Sequence, residues 1–191
     1  LIDISNVDMQ GNVARRDSPR NLSNFANQMW HSDSSFMNPR AAYSMLHAVI
    51  TPSWGGNTEF ADLRAAYDAL DERTRKEIQG LSAEHYALHT RILLGDDAYT
   101  DEQKREIPPA TWPLADTHPG SGRKVLFVGV HAHQIIGWPT AEARMYLLDL
   151  LEHATQREFV YAHEWQPGDL VIWDNRATLH RGRRYPIEER R

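Results

Sequence analysis

The feature that most constrains this chain is a set of metal-ligating side chains split between its two ends. His31-Ser32-Asp33 lies near the start, and Trp173-Asp174-Asn175 leads to His180 near the end. In a strand, residues i and i+2 point to the same face. His31 and Asp33 would then present an imidazole nitrogen and a carboxylate side by side. For His180 to join them, an early strand and a late strand must be neighbours. A β-sandwich or jelly roll meets that demand.

The rest of the pattern predicts short strands interrupted by helices. Residues 1–8 alternate like a strand, Met9-Gln10-Gly11-Asn12 forms a turn, and the polar, charged stretch 15–24 reads as a loop. Residues 43–50 form a strand ended by Thr51-Pro52. Asp62 is placed to cap a helix over 63–70, and Asp71 a second over 72–79, closed by Gly80. Thr100 with Gln103 makes a capping box for a short helix that Pro108-Pro109 ends. Strands are expected over 112–117 and 124–128, around a turn at Pro119-Gly120-Ser121-Gly122 that His118 orders. Thr140 is placed to cap an amphipathic helix reaching about Ala154, with Met145, Leu148 and Leu151 on its apolar face. Strands over 158–164, 170–173 and 177–181 follow. The expected fold class is mostly β with helical insertions.

Composition narrows the function. The 191 residues suit a single domain with a substantial core. A net charge of −5 argues against nucleic acid as a partner, despite the local basic cluster of Arg181, Arg183, Arg184, Arg190 and Arg191. With no cysteine, disulfides and thiolate metal sites are excluded, so any metal is held by nitrogen and oxygen. No apolar run approaches membrane-spanning length, so no membrane is expected as a partner. With no signal peptide in view, the cytoplasm is the expected location. The chain opens on Leu1 in what reads as a strand, which predicts an N-terminus upstream. No G-x-S-x-G is present to support a hydrolase.

Two imidazoles and one carboxylate, with half the coordination sphere open, are the ligand set of mononuclear non-haem Fe(II) oxygenases. One H-x-D triplet says little in a chain with ten histidines. The late W-D-N-x-x-x-x-H is what makes the set. A rival pair, His131-Ala132-His133, also has strand spacing, but carboxylates are scarce nearby, and Glu142 lies beyond a proline inside a helix. A pocket wall or ordinary core packing suits these two better.

The runs Trp30-His31-Ser32-Asp33-Ser34-Ser35-Phe36, Gly55-Gly56-Asn57-Thr58-Glu59-Phe60-Ala61-Asp62, Thr117-His118-Pro119 and Trp173-Asp174-Asn175-Arg176-Ala177-Thr178-Leu179-His180-Arg181 span nearly the whole chain. Together they resemble the taurine dioxygenase / 2,4-dichlorophenoxyacetate dioxygenase family of Fe(II)- and 2-oxoglutarate-dependent enzymes. Stretches 55–70 and 153–180 carry a particular similarity to the aryloxyalkanoate branch. The resemblance implies a double-stranded β-helix (a jelly roll), with His31, Asp33 and His180 on iron. It implies that Thr58 hydrogen-bonds the distal carboxylate of 2-oxoglutarate and that Arg191 forms a salt bridge with it. A planar guanidinium suits that task, because it pairs with a carboxylate in a bidentate fork. Asn27 matches a position that touches substrate, and Phe36 and Trp173 would line the iron pocket, a role compatible with core packing.

The implied reaction consumes O2 and 2-oxoglutarate, releases succinate and CO2, and hydroxylates a small anionic substrate. An aryloxyalkanoate such as 2,4-dichlorophenoxyacetate would give a phenol and glyoxylate. The same chemistry on a sulfonate, sulfate ester or N-substituted amino acid stays open, as does a non-enzymatic metal- or ligand-binding jelly roll. Association into a homo-oligomer stays open too. The family carries a longer N-terminal portion, and beyond Arg191 a second arginine that binds the substrate's anionic group. The resemblance therefore implies a single catalytic domain truncated at both ends.

Overall fold

Early and late strands pair in the structure, a computed structural model that describes residues 4–8 and 10–191. β1 (Tyr43–His47) runs antiparallel to β9 (Leu170–Asp174). β2 (Thr58–Asp62) lies between β10 (Thr178–Gly182) and β8 (Val160–His163), antiparallel to both. A third sheet has the order β4 (Ala110–Pro113), β3 (Ser82–His85), β7 (Ala132–Ile135), and β5 (Ala115–Thr117) forms a hairpin with β6 (Lys124–Leu126). Ten strands and six α-helices are present among the described residues. The four small sheets do not close into one barrel there. No helix is long and apolar enough to cross a membrane.

Local signals set several helix starts. The Asp62 carboxylate accepts from the Arg64 and Ala65 N–H groups to start α2 (Leu63–Ala69), and Asp71 accepts from Thr74 to start α3 (Glu72–Ile78). Thr100 and Gln103 form the capping box of α5 (Asp101–Glu106). Each cap satisfies N–H groups that have no partner within the helix.

Five expectations need correction. The strand expected at His31-Ser32-Asp33 reduces to an isolated bridge from His31 to His180, and Asp33 lies in the turn that follows. Residues 19–24 of the loop expected over 15–24 are helical: Ser18 caps α1 (Pro19–Ala26), with proline in its first turn. This helix lacks a broad apolar stripe because its anchor is polar. Asn21 is fully buried, and its amide donates to the carbonyls of Ala14 and Arg15. In α6 (Thr140–Ala154), Thr140 is the first helical residue and Pro139 precedes it, without a side-chain cap. The inner face of α6 is Ala143, Leu147, Leu150 and Ala154, while Met145 and Leu148 are 60% and 57% exposed. Leucines occupy both sides of this helix, so periodicity alone does not choose the face; packing against β7 and α2 does. The strand expected over 112–117 breaks at Leu114. Its N–H donates to Leu81 and its carbonyl accepts from Phe127, so the chain changes sheets there. Of the strand expected over 1–8, residues 1–3 lie outside the described residues, as does Met9 of the turn. Within the remainder Val7 makes only an isolated bridge to Val13. Sequence also gave no sign of β3 or of α4 (Ala87–Leu93).

The core gathers Leu63, Ile78, Leu114, Leu126, Phe127, Ile135 and Leu179, all essentially inaccessible to solvent. Leu179 precedes His180, so strand alternation that buries one side chain turns the next toward the opposite face.

Candidate metal centre

Two histidines from opposite ends of the chain meet through their backbones. The His31 N–H donates to the His180 carbonyl at 3.0 Å, and the His180 N–H donates to the His31 carbonyl at 2.8 Å. Such a reciprocal antiparallel pair puts both side chains on one face. Their rings lie 4.1 Å apart between centroids, and both residues are buried. Asp33 Oδ1 lies 3.6 Å from each Nε2. Among the described residues these three form the only group of histidine, aspartate or glutamate side chains spaced to hold a metal ion. His131 and His133 do not form a second one.

The donor set fits a divalent cation. His31 Nδ1 is 2.8 Å from the Met29 carbonyl. A carbonyl only accepts, so Nδ1 carries the proton and Nε2 turns its lone pair toward Asp33. A lone pair facing a carboxylate oxygen is repulsive until a cation lies between them. Burial pushes the His180 imidazole well below its ordinary pKa, with the nearby His31 as a lesser cause, which keeps it a neutral ligand. Adjacent ligands of a six-coordinate ion with bonds of about 2.1 Å are about 3 Å apart. Closing Asp33 Oδ1 toward each Nε2 therefore asks for a movement of about half an ångström. Four aromatic or imidazole rings frame the two ligand rings: Trp173 is 4.8 Å and Phe60 6.2 Å from the His180 ring, and Phe36 is 4.9 Å from His131, which stands 6.2 Å from His31.

The second cluster sits two residues further along β10. Thr58 pairs with Gly182 across the strands, as Phe60 pairs with His180. The buried Thr58 hydroxyl accepts from Trp165 Nε1 at 2.9 Å and keeps its own proton to donate. The Arg191 guanidinium rests over the Tyr185 ring at 4.7 Å and approaches Gly182, where an added Cβ would lie 3.8 Å from Nη2. No carboxylate partners this guanidinium among the described residues. Thr58 and Arg191 thus converge at Gly182, roughly 7 Å along the strand from His180. The Asn27 carbonyl accepts from the Gly182 N–H at 2.8 Å, which places Asn27 beside the same spot. A groove of about 610 Å³ passes Leu46, Ile50, Pro52, Gly56, Trp165 and Arg191, but the three candidate metal ligands do not line it.

His133 packs against Tyr86 and His89 at 5.4 Å each and not against the metal-ligand rings. His118 orders its turn as expected: Nδ1 accepts from the Ser121 N–H, which leaves Nε2 to donate to Asp174 at 2.9 Å. Sequence missed Ser44, Trp165 and the Met29 carbonyl, and assigned Asn175 no task of its own. Trp165 and Met29 lie outside every motif, so no signal pointed to them.

The family model described as "Taurine catabolism dioxygenase TauD, TfdA family" matches residues 4–191. The chain is 61% identical, over its whole length, to the alpha-ketoglutarate-dependent 2,4-dichlorophenoxyacetate dioxygenase of Cupriavidus pinatubonensis, covering 67% of that protein. It is 39% identical to the (S)-phenoxypropionate/alpha-ketoglutarate-dioxygenase of Delftia acidovorans, over 95% of this chain and 65% of the relative. Among solved structures, AAD-2 in complex with Mn(II) and N-oxalylglycine superposes with a TM-score of 0.96 at 48% identity, covering 99% of this chain and 68% of that one. The chain spans about two thirds of the length of the relatives it matches. With this coverage, and with the His-Asp-His cluster in place, the chain belongs to the TauD, TfdA family.

Proposed function

We propose that this chain is the catalytic domain of an Fe(II)- and 2-oxoglutarate-dependent dioxygenase that acts on aryloxyalkanoates, 2,4-dichlorophenoxyacetate first among them, on a double-stranded β-helix. The observation that carries the reading is the pairing of two clusters on one strand face: His31, Asp33 and His180 at one point, and Thr58 with Arg191 at Gly182. The separation suits a five-carbon dicarboxylate that reaches from the metal to the guanidinium. The solved relative supports it, since N-oxalylglycine has the 2-oxoglutarate skeleton with NH in place of one methylene.

His31 and His180 would hold the ion through Nε2 and Asp33 through Oδ1, leaving the remaining positions open. A ferrous ion held there would supply the activation of dioxygen that couples conversion of 2-oxoglutarate to succinate and CO2 with hydroxylation of a substrate C–H. The protein's part is positioning. Arg191 pairs with the distal carboxylate of 2-oxoglutarate, and the Thr58 hydroxyl donates to it. Phe36, Trp173 and His131 wall the space beside the ligands and exclude water, while Asn27 faces the substrate side. An aryloxyacetate hydroxylated at the carbon bearing the ether oxygen becomes a hemiacetal, which collapses to a phenol and glyoxylate.

The test supplies purified protein with Fe(II), 2-oxoglutarate, O2 and 2,4-dichlorophenoxyacetate. Succinate and 2,4-dichlorophenol should form in equal amounts, and succinate no higher than in the substrate-free control would overturn the proposal. Replacing the aryloxyalkanoate with a sulfonate, a sulfate ester or an N-substituted amino acid decides between substrate classes. Arg191→Lys should raise the 2-oxoglutarate concentration for half-maximal rate by roughly tenfold or more, because an ammonium cannot make the bidentate fork.

A further inference from the structure

Asp33 turns Oδ1 toward the two imidazoles, while Oδ2 is engaged by a neighbouring hydroxyl. The Ser44 hydroxyl donates to Asp33 Oδ2 at 2.6 Å. Ser44 lies on β1 directly across from Trp173 on β9. Its direction is not free. Asn175 Nδ2 donates to Ser44 Oγ at 2.7 Å, so the single hydroxyl proton of Ser44 is left for Asp33. Asn175 is oriented in turn. Its Oδ1 accepts from the Asp33 N–H at 3.2 Å and from Trp173 Nε1 at 3.0 Å. Both are donors only, so the amide cannot be flipped. Asn175 is buried, with 1% of its surface exposed. The bonds close a ring from the Asp33 N–H through Asn175 and Ser44 back to Asp33 Oδ2, while Oδ1 alone faces the two Nε2 atoms.

We propose that Ser44, set by Asn175, is a positioning residue that restricts Asp33 to ligation through one oxygen, which leaves three metal positions for 2-oxoglutarate and dioxygen. The inference rests on the metal-site reading above and adds a device to it. A carboxylate free to turn would take two positions, leaving one too few.

The test compares Ser44→Ala, Ser44→Thr and Ser44→Val with the unaltered protein, using Mn(II) alone. Threonine keeps the hydroxyl and valine replaces it with a methyl of nearly the same shape, so that pair decides the matter even if the alanine variant folds poorly. Free Mn(II), read by electron paramagnetic resonance, gives the affinity. Loss of the hydroxyl should weaken Mn(II) binding by roughly tenfold or more, with threonine within about threefold of the unaltered protein. With Mn(II) saturating, the valine variant should show aspartate carboxylate stretches drawn together in the infrared, as two-oxygen ligation gives. Infrared difference spectra of the unaltered protein on Mn(II) binding, with aspartate carboxyls carrying ¹³C, should show the wide separation of carboxylate stretches that one-oxygen ligation gives. Valine and threonine variants with equal Mn(II) affinity, or a narrow two-oxygen separation in the unaltered protein, would overturn the proposal. Failure of the unaltered protein to bind Mn(II) would instead remove the metal site beneath it.

Discussion

His85 shows how one residue links burial to pH. Its ring is enclosed and stacked on Phe127 at 5.1 Å, and neither nitrogen has a partner among the described residues. Burial lowers its pKa from 6.5 to about 3, with the nearby His131, Arg40 and His133 adding to the effect. The unfolded chain keeps the ordinary value. Below pH 6.5 the unfolded state therefore binds a proton that the folded state refuses, and stability falls as the pH drops from 6.5 toward 3. The slope from this group is up to about 1.4 kcal/mol per pH unit. His85→Leu should flatten the fall in the urea midpoint between pH 7 and pH 5; an unchanged slope would show that another group carries it. The metal ligands are legible in sequence because few residue types bind metals, although the strand expected to align His31 with Asp33 is only a single bridge, with Asp33 in the turn after it. Ser44 is not legible, because its partner is chosen by the register of β1 on β9. The carbonyl of Met29 is hidden for a different reason: any residue has one.

At the scale of the element, β10 has two tasks. Leu179 locks it into the core with no exposed surface, and His180, the next residue, faces the metal cluster. Truncating a buried leucine removes transfer energy and leaves a cavity. Leu179→Ala should cost about 2–5 kcal/mol of unfolding free energy by urea titration, and should also weaken Mn(II) binding because the strand that holds His180 loses its anchor. A loss of stability with Mn(II) affinity unchanged would separate the two tasks. The starts of α2, α3 and α5 are readable because a cap is a local contract between a side chain and the N–H groups two or three residues on. The inner face of α6 and the buried Asn21 of α1 are not readable, because distant packing decides the first and backbone carbonyls the second.

For the whole molecule, the split ligand set required an early segment beside a late strand, and the bridge of His31 to His180 on β10 meets the requirement, with β1 on β9 and β2 on β10 as further early–late pairs. The sheet to which β3 belongs was hidden, since Ser82–His85 is short and lacks a clear apolar alternation. Every functional statement depends on one convergence: His31, Asp33 and His180 around a common ion. The most direct test is a crystal of this chain grown with Mn(II), examined by anomalous scattering at the manganese edge. A single strong peak about 2.0–2.3 Å from His31 Nε2, His180 Nε2 and Asp33 Oδ1 is the predicted result. A map with no peak among those three atoms, at saturating Mn(II), would contradict the account.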